Sequence, residues 1–302
     1  MSRTALVTGA TGFIGGRLVR RLVDDGWRVV VLARGTSDTD ALPPDVEVIR
    51  TGRDPDALRD AIAAAAPDIV YHLASLYLAD HQPDEVEPLI GSNILFLAEL
   101  AEAMTRAGCS RLVNAGTAWQ HAGTDADRPV NLYAATKRAA EEILRYYQEA
   151  RALSVVTLTL FDSYGPGDTR RKLVQLLVGA ALGIQRLDMS PGEQRVDLTH
   201  VDDITAAFVI AGERLLRRDG QVNERFFVGG DRLTVRDLVA RVAAALDRPL
   251  AVAFGGKPYR PREVMEPVAA TPLLPGWRQT VGLDDGIRLL ADEGRSRRNR
   301  VA

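Results

Sequence analysis

The stretch TGATGFIGG, residues 8–16, constrains this chain more than any other. It sets Gly9, Gly12 and Gly15 at three-residue spacing between an apolar run, TALVTG (4–9), and an amphipathic one, GGRLVRRLVDDG. Each glycine meets a different steric demand. Gly9 allows a tight turn, Gly12 lets backbone approach a pyrophosphate, and Gly15 lets helix and strand pack closely. The helix that follows offers free N–H groups and the positive end of its dipole to phosphate. A glycine triplet alone is a weak signal. At the first strand–helix junction of a βαβ unit it stands where such a loop has meaning.

The following residues supply that setting. Apolar, β-rich runs at RVVVLAR (28–34), VEVIR (46–50), DIVYHLA (68–74), RLVNAG (111–116) and SVVTLTLF (154–161) alternate with helical stretches. In DALRDAIAAAAP, NILFLAELAEAMTRAG and LYAATKRAAEEILRYYQEAR, apolar residues recur every three or four positions. The alternation predicts right-handed βαβ units and an α/β fold whose parallel sheet is covered on both faces. Strands that are apolar throughout suit burial on both sides. After residue 163 the texture changes: YGPGDTRRK and MSPGEQR are turn-rich, and RPLAVAFGGKPYRPREVMEPVAATPLLPG concentrates proline and glycine. Between them VDDITAAFVIAGERLL reads as a helix and ERFFVGG as a strand. A smaller second region contributing a lid or substrate pocket is expected.

A net charge of −2 argues against a general nucleic-acid partner. No apolar run reaches the roughly 18 residues that span a bilayer, so no membrane partner is expected. The basic tail GRSRRNR reads as a solvated, frayed terminus. The first residues carry no basic leader and cleavage site, and the single Cys109 cannot form an internal disulfide; both suggest a cytoplasmic protein. The histidines show no metal-ligand spacing, and no metal is expected.

The end of the second strand bears on which dinucleotide binds. Where an NAD site usually carries a carboxylate for the ribose 2′-hydroxyl, this chain has Ala33, then Arg34, with Ser37 nearby. A guanidinium suits a 2′-phosphate by charge and bidentate geometry, favouring NADP, with NAD still possible. Read otherwise, Arg34 is a solvated loop arginine.

YAATK places Tyr133 four residues before Lys137. With seven tyrosines and three lysines in 302 residues, a chance Tyr-x-x-x-Lys match is expected about 0.07 times. Four-residue spacing puts both side chains on one helix face. An ammonium beside a phenol favours phenolate and should lower the tyrosine pKa toward working pH. Such a tyrosine can donate a proton to a carbonyl oxygen or remove one in reverse.

TGATGFIG, YHLAS, NAGTAW and YAATK together resemble the extended short-chain dehydrogenase/reductase family of nucleotide-sugar epimerases, dehydratases and reductases. FDSYGPGD, PGEQRVDLTHVDDI, YRPRE and PGWRQTVGLDDGI follow in that family's order. The resemblance implies a Rossmann-type doubly wound sheet with a smaller, mostly C-terminal substrate domain. Residues 1–163, with 197–230 returning, would form the nucleotide-binding part; 164–196 and 231–302 would bind a nucleotide sugar. It implies that Thr117, Tyr133 and Lys137 are catalytic, Lys137 also contacting the nicotinamide ribose. Thr11, Phe13, Ile14, Leu73, Ala74, Ser75 and Asn93 would join the glycines, Arg34 and Ser37 around the cofactor, although Asn93 also fits a helix cap. Trp119, Gln120, Asp162, Arg171, Arg195 and Arg260 would meet substrate, Arg260 at the diphosphate, with Arg170 and Lys172 possible helpers or plain surface cations.

The resemblance also sorts reactions. The family's 4,6-dehydratases carry Asp-Glu after the threonine, where this chain has Ala118 and Trp119. Its 4-epimerases usually have SSAxVYG here and an acidic NAD-binding residue. The pattern is most similar to nucleotide-sugar 4-ketoreductases of the CDP-abequose and CDP-paratose synthase type. These implied activities and a homodimer formed through NILFLAELAEAM and AATKRAAEEILRYY are expectations. A redox-neutral epimerase or UDP-sugar decarboxylase with tightly bound NAD is the alternative, and a non-catalytic dinucleotide sensor is disfavoured by retention of the whole triad. Two departures stand out: Asp162 replaces the family's usual asparagine, and VDL replaces RDF, with Arg195 one place earlier.

Overall fold

The structure is a computed structural model and describes residues 2–52, 54–121, 128–183 and 186–299, with the side chains of 297–299 left aside. The first half runs β1 (Thr4–Thr8), α1 (Phe13–Asp24), β2 (Arg28–Ala33), β3 (Glu47–Arg50), α2 (Pro55–Ala65), β4 (Ile69–His72), α3 (Val86–Ile90), α4 (Phe96–Arg106), β5 (Arg111–Thr117), α5 (Leu132–Arg151) and β6 (Ser154–Leu160). The second half continues β7 (Asp162–Tyr164), α6 (Leu173–Ala181), β8 (Leu187–Met189), β9 (Arg195–His200), α7 (Val201–Arg217), β10 (Asn223–Val228), β11 (Asp231–Thr234), α8 (Val235–Leu246), β12 (Val252–Phe254) and α9 (Leu283–Asn299).

Seven strands form one parallel sheet in the order β10-β6-β5-β4-β1-β2-β3. Its inner strands are largely apolar because successive residues face two different cores, whereas the edge strands β3 and β10 carry Glu47, Arg50, Glu224 and Arg225. Ala5 and Val7 of β1 point to one, with Leu18 and Leu22 of α1 and Phe208 and Ala211 of α7. Leu6, between them, points to the other, with Ile62 of α2, Leu100 and Met104 of α4 and Leu144 of α5. A third core gathers Leu177 of α6, Leu238 and Val242 of α8 and Ile287 of α9 around Tyr164 and Leu198.

The segment 197–230 divides between these layers. β9 pairs with β7 and β11 in a separate three-stranded sheet, so the chain rejoins the large sheet only with α7 and β10. Asp203 on α7 ties the layers together. Its buried carboxylate accepts from Thr280 N and Val281 N, both at 3.0 Å, and from Thr280 Oγ1 at 2.5 Å. The basic tail departs from its expected fraying: α9 carries the backbone through to Asn299, and Arg300 lies outside the described residues.

Candidate active site

The carboxyl ends of β1, β4 and β5 meet the N-termini of α1 and α5, the edge where an open parallel sheet takes its ligand. Gly9 closes β1 with φ +72°, and a Cβ there would stand 2.5 Å from Ala74 N, so the first turn lies directly on the loop after β4. A Cβ on Gly15 would stand 2.1 Å from Gly9 O. Gly12 caps α1 without a side-chain acceptor, and the first turn carries no acid. These unspent N–H donors fit a pyrophosphate, whose charge the helix end would favour. Gly15→Ala is expected to cost about 1–3 kcal/mol through backbone displacement and to weaken dinucleotide binding, measured by thermal unfolding and NADPH titration. Gly282→Ala, with open space around it and no positive φ, should change neither.

Around this loop the predicted cofactor residues divide. Thr11 is exposed. Ile14 and Leu73 pack their side chains on the core. The Phe13 ring lies 4.7 Å below the Arg170 guanidinium. Arg34 follows β2, exposed and without an ion-pair partner among the described residues. The loop beyond it is braced by Arg50 at the end of β3, a residue the sequence reading missed. Arg50 donates to the carbonyls of Arg34, Gly35 and Ser37 at 3.0, 3.3 and 3.1 Å, and to Thr39 Oγ1 at 3.0 Å.

Asn93 is neither a helix cap nor free to reach a cofactor. It sits buried in a π-turn, Gly91–Leu95, a widening of the helix often found at functional sites. There it accepts from Leu76 N at 2.7 Å and Ser75 Oγ at 3.1 Å, and donates to Leu76 O at 3.0 Å and Thr136 Oγ1 at 2.9 Å. It bolts the loop after β4 to α5. The cap of α5 is Asn131, which accepts from Ala134 N at 2.9 Å and donates to Ala79 O at 2.9 Å.

Tyr133 and Lys137 lie in the first two turns of α5, facing Thr117 at the end of β5. Hydroxyls of Ser75 and Thr117 hydrogen-bond the Tyr133 phenol. The expected lowering of its pKa does not occur. Burial, with the Tyr77 phenol beside it, outweighs those two bonds and the more distant Arg170 and pushes the pKa up to about 12. Lys137 is buried, and burial alone pulls its pKa down to about 8. Tyr133 is therefore a firmly protonated acid at neutral pH, one helical turn from a buried lysine held near its titration point. His72, at the end of β4, is kept neutral by burial and then by Lys137, with a pKa of about 3; its Nδ1 lies 2.9 Å from Thr8 Oγ1.

A cleft of about 540 Å³ opens beside this pair. Trp119, Asp162, Arg171, Arg195 and Arg260 line it, as do Tyr77, Lys172 and Lys257. Seven lysines and arginines face four carboxylates along its walls, which suits a polyanionic ligand. Arg170 is already engaged: it donates to both Asp168 oxygens at 2.7 and 2.8 Å and to Ser163 Oγ at 2.9 Å. Gln120 turns away from the cleft. Its amide donates to Glu141 Oε1 of α5 at 2.8 Å, in the core, and Glu141 also pairs with Arg225 of β10. Gln120 therefore fixes the turn that carries Trp119 and does not line the cleft. Tyr77, also missed in the sequence, lies edge-on to Tyr133 at 5.0 Å and 5.7 Å from the Trp119 ring. Among the described residues no group of three His, Cys, Asp or Glu could hold a metal ion, and no helix is long and apolar enough to cross a membrane.

A glycine loop under an uncapped helix at the carboxyl edge of a parallel sheet, with Tyr133 and Lys137 in the first two turns of α5, is the arrangement of a dinucleotide-binding fold. The chain belongs to the NAD-dependent epimerase/dehydratase family, whose model matches residues 5–229. It is 27% identical over 267 residues to CDP-abequose synthase of Yersinia pseudotuberculosis, covering 87% of this chain and 90% of that one. It is 30% identical to UDP-glucose 4-epimerase of Mycolicibacterium smegmatis, over 93% of this chain and 95% of that protein. Among solved structures, UDP-glucose 4-epimerase of Thermus thermophilus in complex with NAD superposes with a TM-score of 0.80 at 27% identity, covering 97% of this chain and 99% of that one.

Proposed function

We propose that this protein reduces the 4-keto group of a nucleotide-diphosphate 4-keto-6-deoxyhexose with NADPH. The observation that carries the reading is the site's one-sided acid chemistry. Thr117 meets the Tyr133 phenol, with Lys137 one turn further along α5, while Ala118 and Trp119 follow Thr117 where the resemblance puts the dehydratases' acid–base pair. Similarity to CDP-abequose synthase supports it.

In this scheme Thr117 and Tyr133 hydrogen-bond the substrate carbonyl oxygen, polarising it. Bound NADPH supplies the hydride. Tyr133 gives its proton to the oxygen as negative charge develops there, and the Lys137 ammonium stabilises the phenolate left behind. Arg260, with Arg195 and Lys257, which also line the cleft, meets the substrate diphosphate. Arg34 and Ser37, on the loop Arg50 braces, meet the 2′-phosphate. Arg34→Ala is expected to raise the KM for NADPH about tenfold and leave that for NADH within about twofold, as loss of a charge-assisted contact predicts. Equal changes for both would remove the argument for NADP.

We place the enzyme in the cytoplasm as a homodimer joined through α4 and α5, where Leu95, just before α4, and Tyr146 on α5 are exposed. The second reading, a redox-neutral epimerase or decarboxylase, is favoured by the similarity to UDP-glucose 4-epimerases. The absorbance spectrum of the purified protein separates them. Stoichiometric bound nicotinamide, with an isomer or a decarboxylated sugar as product, would select the second reading.

A further inference from the structure

Asp162 on β7 and Lys172 at the cap of α6 meet in the cleft that Tyr77 also lines. Lys172 Nζ lies 3.8 Å from Asp162 Oδ1. The same ammonium is 4.1 Å from the centre of the Tyr77 ring and 5.5 Å from that of Trp119, within cation–π reach of both. Tyr77 in turn touches Tyr133 edge-on at 5.0 Å. The ion pair is therefore one aromatic ring away from the proton donor.

A diphosphate gains little from this patch, because the Asp162 carboxylate repels it. Arg171, Arg195 and Lys257 also line the cleft and offer it cations, as does Arg260, which lies near enough to act on Lys172 and Tyr77. A hexose ring fits better. A carboxylate accepts from one ring hydroxyl and an ammonium donates to its neighbour, both as charge-assisted bonds. The apolar C–H face of the ring can lie on Trp119 or Tyr77. Resting on the nucleotide-sugar reading above, we infer that Asp162 and Lys172 form the hexose-reading element of the cleft and select an uncharged pyranose over a uronate. A uronate would set a second carboxylate against Asp162 with one ammonium shared between them. Lys172, in turn, keeps the partly buried Asp162 from standing as an uncompensated charge.

Isothermal titration of the full chain tests this without requiring turnover. The probes are UDP, UDP-glucose and UDP-glucuronate, with CDP, dTDP and their glucose conjugates added to find the base. The sugar's contribution is the ratio of the Kd for the nucleoside diphosphate to that for its glucose conjugate. It is expected to be about tenfold or more in the native chain and to fall below about threefold in both Asp162→Asn and Lys172→Met. Affinity for the nucleoside diphosphate alone should stay within about twofold, and circular dichroism confirms that both variants fold. UDP-glucuronate should bind about tenfold more weakly than UDP-glucose, and Asp162→Asn should close most of that gap. A ratio unchanged in both variants would overturn the inference, as would equal weakening of the diphosphate and its conjugate. If neither binds the native chain, the nucleotide-sugar reading falls and takes this one with it. If both bind and the ratio does not move, this inference alone is lost.

Discussion

Tyr133→Phe is expected to lower turnover about a thousandfold, the scale of a lost general acid, while NADPH affinity stays within about twofold. The substitution removes one hydroxyl and leaves the ring that packs edge-on against Tyr77. The Ser75 and Thr117 hydroxyls lose a partner, a cost of about 1 kcal/mol that thermal unfolding would register. Thr117→Val should cost less than Tyr133→Phe, because it weakens polarisation of the carbonyl yet leaves the proton donor in place. The measurement is steady-state turnover beside an NADPH binding titration. Near-normal turnover in Tyr133→Phe would remove the tyrosine from the chemistry altogether.

Lys137→Met is expected to abolish most activity and at the same time make the protein more stable. Burial lowers the Lys137 pKa from an ordinary 10.5 to about 8, which at neutral pH costs the folded state about 3 kcal/mol. The sign follows from proton counting. Below the folded value the lysine is charged both folded and unfolded, and the whole penalty is present. As pH rises from about 8 toward 10.5 the folded chain has lost this proton while the unfolded chain still binds it, so stability climbs. Methionine, apolar and of similar length, should recover about 1–3 kcal/mol at pH 7. The native rise in this group's contribution above about pH 8 should vanish in the variant. Activity should run the other way: kcat/KM for reduction should be flat to about pH 8 and decline above it, as the ammonium that stabilises the tyrosinate is lost. Thermal unfolding across pH, with a pH–rate profile, checks both halves. A destabilised Lys137→Met, or a rate that rises through pH 8, would contradict the account.

What the sequence made legible was local. The glycine loop, the apolar strands and the Tyr133–Lys137 spacing each depend on residues a few positions apart, where helix and strand periods fix which faces coincide. What it hid was contact between distant segments. Nothing near Gln120 shows that Glu141, on another element, draws its amide into the core. Nothing near Asn93 shows that its donors and acceptors are spent on the loop after β4 and on Thr136. The Tyr133 pKa was misjudged for the same reason. Its i+4 lysine could be read directly, whereas the burial and the Tyr77 neighbour that raise it come from tertiary packing. One signal was present and underused. In a chain whose cations are nearly all arginine, each of the three lysines lies at the site: Lys137 beside the tyrosine, Lys172 and Lys257 along the cleft.

The most direct test of the central claim is consumption of reduced nicotinamide, followed by absorbance, with and without CDP- or dTDP-4-keto-6-deoxyglucose and with NADPH and NADH in turn. The account expects oxidation that requires the keto sugar and is faster with NADPH. No oxidation, with the sugar instead converted to an isomer or left untouched, would contradict it.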